Sequence, residues 1–241
     1  MVPPDEELKN LIKVKSPQFK KILRPSYPFY VLYNLLKPEV YCQNLVRIGA
    51  IGDGGKWLCN PAKIREFKEP CVVYSLGLNQ EISFDVEFQN FTGKRCVLRA
   101  FDRVDQNFDT IHRLEKHGGT FEMIDIAMFT NKDKNQYSFA DIVKRHNDSR
   151  IEVLKIDIEG SEMYIIDQLL SIPSCQILIE VHAGTATEAA YFLRKISDYG
   201  FYLFFQEINQ SRFSVSEYSF IHKTCLDKYN VTTVVNHTEN L

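Results

Sequence analysis

From Cys71 to His222 the chain alternates short β-branched runs with stretches of helical periodicity, and few folds accept that alternation. The runs are Val72–Leu76, Cys96–Phe101, Phe121–Ile126, Val153–Ile158, Gln176–His182, Tyr202–Glu207 and Tyr218–His222. Strands separated by helices are the pattern of βαβ units, which place parallel strands in one sheet covered by helices. Between the runs, Met163, Ile166, Leu169 and Leu170 form an apolar stripe at helical spacing, as do Ala189, Leu193 and Ile196. The second helix has both ends specified: Thr185 and Glu188 stand at capping-box spacing, and Gly200 follows its last turn. Only Ile208 to Glu217 separate the last two strands, too few for a crossover helix, so these two pair as an antiparallel hairpin. The expectation is an α/β, Rossmann-like fold with a seven-stranded, mostly parallel sheet whose last strand is antiparallel.

Ahead of this region Pro3, Pro4, Pro17, Pro25, Pro28 and Pro38 cut any helical pattern into short pieces, around Leu8 to Val14 and Tyr30 to Leu36. The chain therefore divides into an N-terminal helical extension over 1–45, one α/β domain over 46–225 and a tail over 226–241. With 241 residues, 44% of them hydrophobic, a single core of that size can close.

Charge and cysteine usage narrow the partners. A net charge of -2 with no basic stripe gives no footprint for nucleic acid. No run approaches the roughly 18 apolar residues of a membrane span. The polar, acidic N-terminus shows no signal peptide. Six cysteines (Cys42, Cys59, Cys71, Cys96, Cys175, Cys225) lack metal-ligand spacing and read first as scattered core or free thiols. Against that, five N-x-S/T triplets, at Asn90, Asn147, Asn209, Asn230 and Asn236, exceed the roughly one or two expected by chance and raise a secretory, glycosylated chain whose upstream signal is missing. In that compartment the even cysteine count can hide disulfides. Without it, the chain reads as cytoplasmic.

In doubly wound sheets ligands bind at the carboxyl ends of the strands, where strand order reverses. Three strand ends carry polar residues there. After the first, Gly77 in VVYSLGLNQEISFD provides a turn where backbone can approach a ligand, and a helix starts at about Ser83. The glycine fingerprint of dinucleotide enzymes is missing, which disfavours a dehydrogenase and suits a cofactor without a pyrophosphate. The second strand ends at Asp102, from which a carboxylate accepts hydrogen bonds from both ribose hydroxyls or, alternatively, stabilises the following turn. The fourth, IEVLKIDIEG, sets Lys155, Asp157 and Glu159 on one face, and the fifth repeats this with Glu180 and His182. Charge inside a covered sheet needs a partner or a polar cleft, so Asp157, Glu159, Glu180 and His182 form the candidate catalytic group. Lys155 and Asp157 could instead neutralise one another, and His182 could bond only to backbone. A last element, IGAIGDGGKWLC, is a tight hairpin turn, or a lid with Lys56 and Trp57 facing substrate.

Taken in order, GDGGKWLCNP, VVYSLGLNQEISFD, AFD, LKIDIEGSEMYII and ILIEVH make the chain from about Leu45 to His222 resemble the FkbM-type methyltransferases, closest to the animal methyltransferase-like branch with a GDGGKW element. Ser75, Leu76, Gly77, Leu78 and Asn79 stand where many members carry Asp-x-Gly-Ala-Asn. The resemblance implies S-adenosylmethionine near Gly77, Asn79, Asp102 and Asp125, with Asp157 and Glu159 beside the reactive methyl. It also implies O-methylation of a hydroxyl on a small molecule or glycan. Methyl transfer asks for alignment and removal of a proton, which assigns Asp157 or His182 as base and Glu159 and Glu180 as orienting groups. No metal is assigned, because no supporting residues around a site of Asp157, Glu180 and His182 are legible. A degenerate fold that binds without catalysis is the alternative.

Overall fold

The computed structural model describes residues 28–209 and 212–234. In chain order the elements are α1 (Phe29–Leu35), β1 (Val40–Tyr41), β2 (Leu45–Ile48), β3 (Lys56–Cys59), β4 (Val72–Leu76), α2 (Ser83–Thr92), β5 (Val97–Asp102), α3 (Phe108–Lys116), β6 (Gly119–Met123), β7 (Asp125–Ile126), β8 (Gln136–Tyr137), α4 (Phe139–Arg145), β9 (Ile151–Ile156), α5 (Glu162–Ser171), β10 (Ser174–His182), α6 (Ala186–Asp198), β11 (Phe201–Ile208), β12 (Val215–His222) and β13 (Thr232–Thr233). The proposed helix around Leu8 to Val14 lies outside the described residues.

Seven strands form one sheet in the order β11-β12-β10-β9-β4-β5-β6. Only β12 runs antiparallel, to both of its neighbours. From β4 the chain steps outward through β5 and β6, then returns to lay β9 on the other side, so the order reverses between β4 and β9. That is the crevice where such sheets bind ligands. Alternating strand side chains feed two separate cores: Tyr74, Leu76, Leu154 and Ile156 pack with α4, α5 and α6, while Val73, Leu98 and Val153 pack with Phe84 and Phe88 of α2. A sheet covered on both faces is why these runs are apolar throughout.

Thr185 and Glu188 close the expected capping box on α6, and Gly200 takes a left-handed φ of +90° just past it. Two strands end or break earlier than expected, and β12 begins at Val215, three residues before the expected Tyr218. β9 ends at Ile156 instead of Ile158, and the run Phe121–Ile126 is two strands, β6 and β7. The six cysteines pair as Cys42–Cys59, Cys71–Cys96 and Cys175–Cys225, with Cα separations of 5.4, 4.4 and 5.6 Å, which corrects the reading of scattered or free thiols. The first of these ties the β2–β3 hairpin, the glycine-rich element, to the segment before it.

Candidate functional site

Gly77 stands where β4 leaves the sheet, at φ +82°. Its N–H donates to the Phe101 carbonyl (2.8 Å), and the Asp157 N–H donates to the Leu76 carbonyl (2.8 Å). The two chain segments lie so close that a Cβ at Gly77 would stand 2.6 Å from the Asp157 carbonyl carbon. Glycine is thus required twice, for the backbone angle and for the approach. Lys155, almost fully buried, donates from Nζ to the Gly77 carbonyl (2.7 Å) and so tethers the bend to β9.

The Asp102 carboxylate at the end of β5 clasps the same bend. Oδ2 accepts from the Leu78 and Asn79 N–H groups (2.7 and 2.8 Å), and Oδ1 from Val104 N–H (2.8 Å). A carboxylate offers about four acceptor positions. Three are filled by this chain, so Asp102 has room for about one hydroxyl, not the two expected of it. Asp125 is held nearby through Gln136 Nε2, which donates to Oδ2 (2.7 Å).

Glycine bend, Asp102, Asp125 and the ends of β9 and β10 open into a single cavity of about 370 Å³. Gly77, Asn79, Asp102, Asp125, Asp157, Glu159, Glu180 and His182, the residues the sequence nominated for cofactor binding and catalysis, line it, whereas Lys56 and Trp57 of the expected lid do not. Leu78, Phe101, Val104, Ile124 and Ile126 give it apolar lining, Asp157, Glu159 and Glu180 acidic lining, and Arg103, Lys155 and Arg212 basic groups. Asp53 and Gly54 of the glycine-rich loop reach its rim.

On the acidic wall, donor atoms of Asp157, Glu180 and His182 lie within 4.8 Å of one another. Glu159 is the outlier: β9 has ended, its φ is +55°, and its largely exposed carboxylate stands 3.6 Å from His182 Nε2 at the rim. Burial works against charging Asp157, but the Lys56 and Lys155 ammonium groups outweigh it and hold the carboxyl below its usual range. Burial, then the Asp157 and Glu217 carboxylates, push Glu180 up to about 8. A hydrogen bond to Glu162 raises His182.

Two contributors, Glu162 and Glu217, were not read from the sequence as parts of the site, and Lys56, read as a possible lid residue facing substrate, sits elsewhere. Glu162, fully buried in the first turn of α5, accepts from His182 Nδ1 (3.0 Å), the His182 N–H (2.9 Å) and the Gly160 N–H (2.9 Å). His182 is therefore bonded to a buried carboxylate and not merely to backbone, with Nε2 on the Glu159 side. Lys56 is 1% exposed, bonds to Glu217 and stands 3.6 Å from Asp157, so it supports the wall from behind. Trp57 instead packs on Phe205 and bonds to Glu207, away from the cavity. Glu217 is the direct cross-strand partner of Glu180. The Glu162 position in EGSEMY reads as an ordinary helix-start carboxylate, and only the hairpin register could have pointed to Glu217.

A family model described as a methyltransferase domain matches residues 8–222. No curated protein sequence matches the chain. Among solved structures, the chain is similar to a fibrillarin pre-rRNA processing protein from Methanococcus jannaschii (11% identity, TM-score 0.44, 78% of this chain and 84% of that one). It is also similar to a precorrin-6y C5,15-methyltransferase from Geobacter metallireducens GS-15 (15% identity, TM-score 0.39, 68% of this chain and 86% of that one).

Proposed function

The chain belongs to the methyltransferase-domain family, and from that premise we propose that it is an S-adenosylmethionine-dependent O-methyltransferase acting on a hydroxyl of a small molecule or glycan. Within the family we assign it to the FkbM type, in the animal branch with the GDGGKW element, whose Lys56 is packed against Asp157. One observation carries the reading: the glycine bend and the Asp157, Glu180 and His182 group share one cavity, large enough for an adenosine with an acceptor beside it. The apolar part suits an adenine ring, Asp102 keeps an acceptor position for a ribose hydroxyl, and the bend offers backbone without a side chain. When bound, the cofactor supplies an electrophilic methyl group on a sulfonium.

This chain's residues do the rest. The acidic wall holds the acceptor hydroxyl and takes up its proton, Asp157 or His182 being the accepting group, while Glu162 fixes the imidazole ring and Glu159 and Glu180 orient the acceptor. Net, the hydroxyl exchanges its hydrogen for a methyl, and the proton passes through this wall to solvent. Thermal shift against adenosylmethionine, adenosylhomocysteine and NAD tests the cofactor, with stabilisation expected from the first two only. Mass spectrometry of hydroxylated acceptors should then find a gain of one methylene. Stabilisation by NAD alone overturns the reading. The departure of Ser75, Leu76, Gly77, Leu78 and Asn79 from the family's first motif supports a second reading, a fold that binds without turnover, distinguished by binding with no methylated product in any acceptor screen.

We also place the chain in the secretory pathway as a glycoprotein. Three disulfides support an oxidising compartment, and Asn90, Asn147 and Asn230 are exposed on the surface where a glycan can attach. Asn209 is half-buried at the cavity, and Asn236 lies outside the described residues. Glycosidase treatment of native protein that leaves its mass unchanged removes the glycoprotein assignment.

A further inference from the structure

We propose that Asp157, Glu180 and His182 bind a divalent metal ion, which holds the acceptor through its oxygen atoms. The inference deepens the reading above and rests on it for the acceptor, though not for the ion; with the ion held by His182 Nε2 and one oxygen of Asp157, the proton of the acceptor hydroxyl passes to the second Asp157 oxygen.

Three features converge. The first is the donor set: two carboxylates and an imidazole, their ligand atoms within 4.8 Å of one another, facing a cavity that leaves the remaining coordination positions open. Oxygen and imidazole donors of this mixture suit a divalent first-row ion such as Mn²⁺, Co²⁺ or Zn²⁺. The second lies behind the imidazole. Metal-bound histidines characteristically donate their other ring N–H to a carboxylate, which fixes the ring and points its lone pair at the ion. Glu162 provides that partner to Nδ1 from a fully buried position, with both of its oxygens engaged by this chain. Nε2 is thereby left for the cavity side. A histidine that served only packing would need no buried carboxylate.

The third is the charge balance. Glu180 is 95% buried, being 5% exposed, and faces Glu217 directly across the β10–β12 pair, where like charges destabilise a sheet. Glu217 Oε2 is buried with no hydrogen-bond partner among the described residues. Against the four carboxyl groups of Asp157, Glu162, Glu180 and Glu217 stand three basic groups, the ammonium groups of Lys56 and Lys155 and the imidazole of His182, and Lys155 also bonds the Gly77 carbonyl. Buried carboxylates in excess of cations are costly to keep. An ion of charge +2 on the cavity side of Asp157 and Glu180 balances the set. It also defines the acceptor class: a hydroxyl with a second oxygen close enough to chelate, as in a vicinal diol of a sugar.

The test is direct binding to the whole, disulfide-intact chain after removal of metal by a chelator. Mn²⁺ is titrated and followed by loss of the free-ion paramagnetic resonance signal, and Co²⁺ by its visible absorption. One ion per chain is expected. His182→Ala and Asp157→Asn should abolish that binding. Glu162→Gln, which keeps all three ligands, should weaken it by about 10- to 100-fold. Near-ultraviolet circular dichroism and urea unfolding, measured on each variant, report whether it has folded. Should a variant fail to fold, the wild-type titration with the Co²⁺ spectrum decides alone, since histidine and carboxylate ligation has its own absorption. No binding at millimolar Mn²⁺ and Co²⁺ overturns the proposal, as does one-ion binding that survives both ligand substitutions. Adenosylhomocysteine bound without metal leaves the methyltransferase reading intact and removes the ion. Metal bound without adenosylhomocysteine does the reverse.

Discussion

Gly77→Ala is expected to cost far more than an ordinary glycine substitution, and the excess measures how tightly the bend is packed on β9. A left-handed φ of +82° is strained for alanine by about 1–2 kcal/mol. The new methyl would stand 2.6 Å from the Asp157 carbonyl carbon, where two carbons normally approach to about 3.5–4.0 Å. The Asp157 carbonyl oxygen lies nearer still, so backbone must move by more than about 1 Å. Its movement strains the Asp157 N–H bond to Leu76 and the Lys155 bond to Gly77, each contributing about 1 kcal/mol. The sum is about 3–4 kcal/mol. Gly93→Ala is the matched control: its φ is +69° and nothing lies within 4 Å of its Cβ, so it should show only the backbone part, about 1–2 kcal/mol. Urea unfolding with disulfides intact gives both values, and calorimetric titration with adenosylhomocysteine gives the functional consequence, at least a tenfold loss for Gly77→Ala and none for Gly93→Ala. Equal costs for the two substitutions would refute the close-approach argument, and unchanged affinity in Gly77→Ala would show that the bend does not touch the cofactor.

Asp102→Ala frees three backbone N–H groups at once and should cost about 3–5 kcal/mol in urea unfolding, at about 1.5–3 kcal/mol for each bond to a charged group less solvent compensation; a loss under 1 kcal/mol would mean the clasp is idle. Glu180, pushed up from 4.5 to about 8, binds its proton more tightly folded than unfolded, so in chelator-treated protein stability should fall as pH rises between those values. Melting temperatures across that window check it; Glu180→Gln should flatten the slope, and a flat wild-type profile contradicts it. Joint replacement of Cys175 and Cys225 by alanine opens a cross-link spanning 50 residues, for which chain entropy gives a loss of about 4 kcal/mol. Differential scanning calorimetry should register it as a drop of about 8–16 °C in Tm, and an unchanged Tm would show the bond to be without effect.

What the sequence disclosed and what it withheld have separate physical causes. Strands and helices were legible because a sheet covered on both faces demands β-branched runs, and because α6 carries its start and stop in Thr185, Glu188 and Gly200. Both strand errors arise where a neighbour runs out. β9 stops at Ile156 because its partner residue Leu76 is the last before the Gly77 bend. The run Phe121–Ile126 breaks because β5 ends at Asp102, opposite Met123, after which Asp125 and Ile126 pair with β8 instead. Apolar side chains continue past both points, so periodicity alone could not see the ends. Within the site, alternation along single strands was enough to nominate Asp157, Glu180 and His182, because their shared direction is fixed by the pleat. Lys56, Glu162 and Glu217 come to that wall from a hairpin, a helix start and an antiparallel strand, elements up to 161 residues apart where Lys56 meets Glu217. No local pattern encodes such meetings, and the same holds for the disulfides. Glu162 and Glu217 are thus hidden from the sequence, Lys56 and Lys155 are visible in it without their partners, and the groups that face the cavity are the ones it shows. For this chain the hidden residues shape the wall: Glu162 determines which histidine nitrogen faces the cavity, and Glu217, set directly across from Glu180, adds a second carboxyl group that the wall must accommodate.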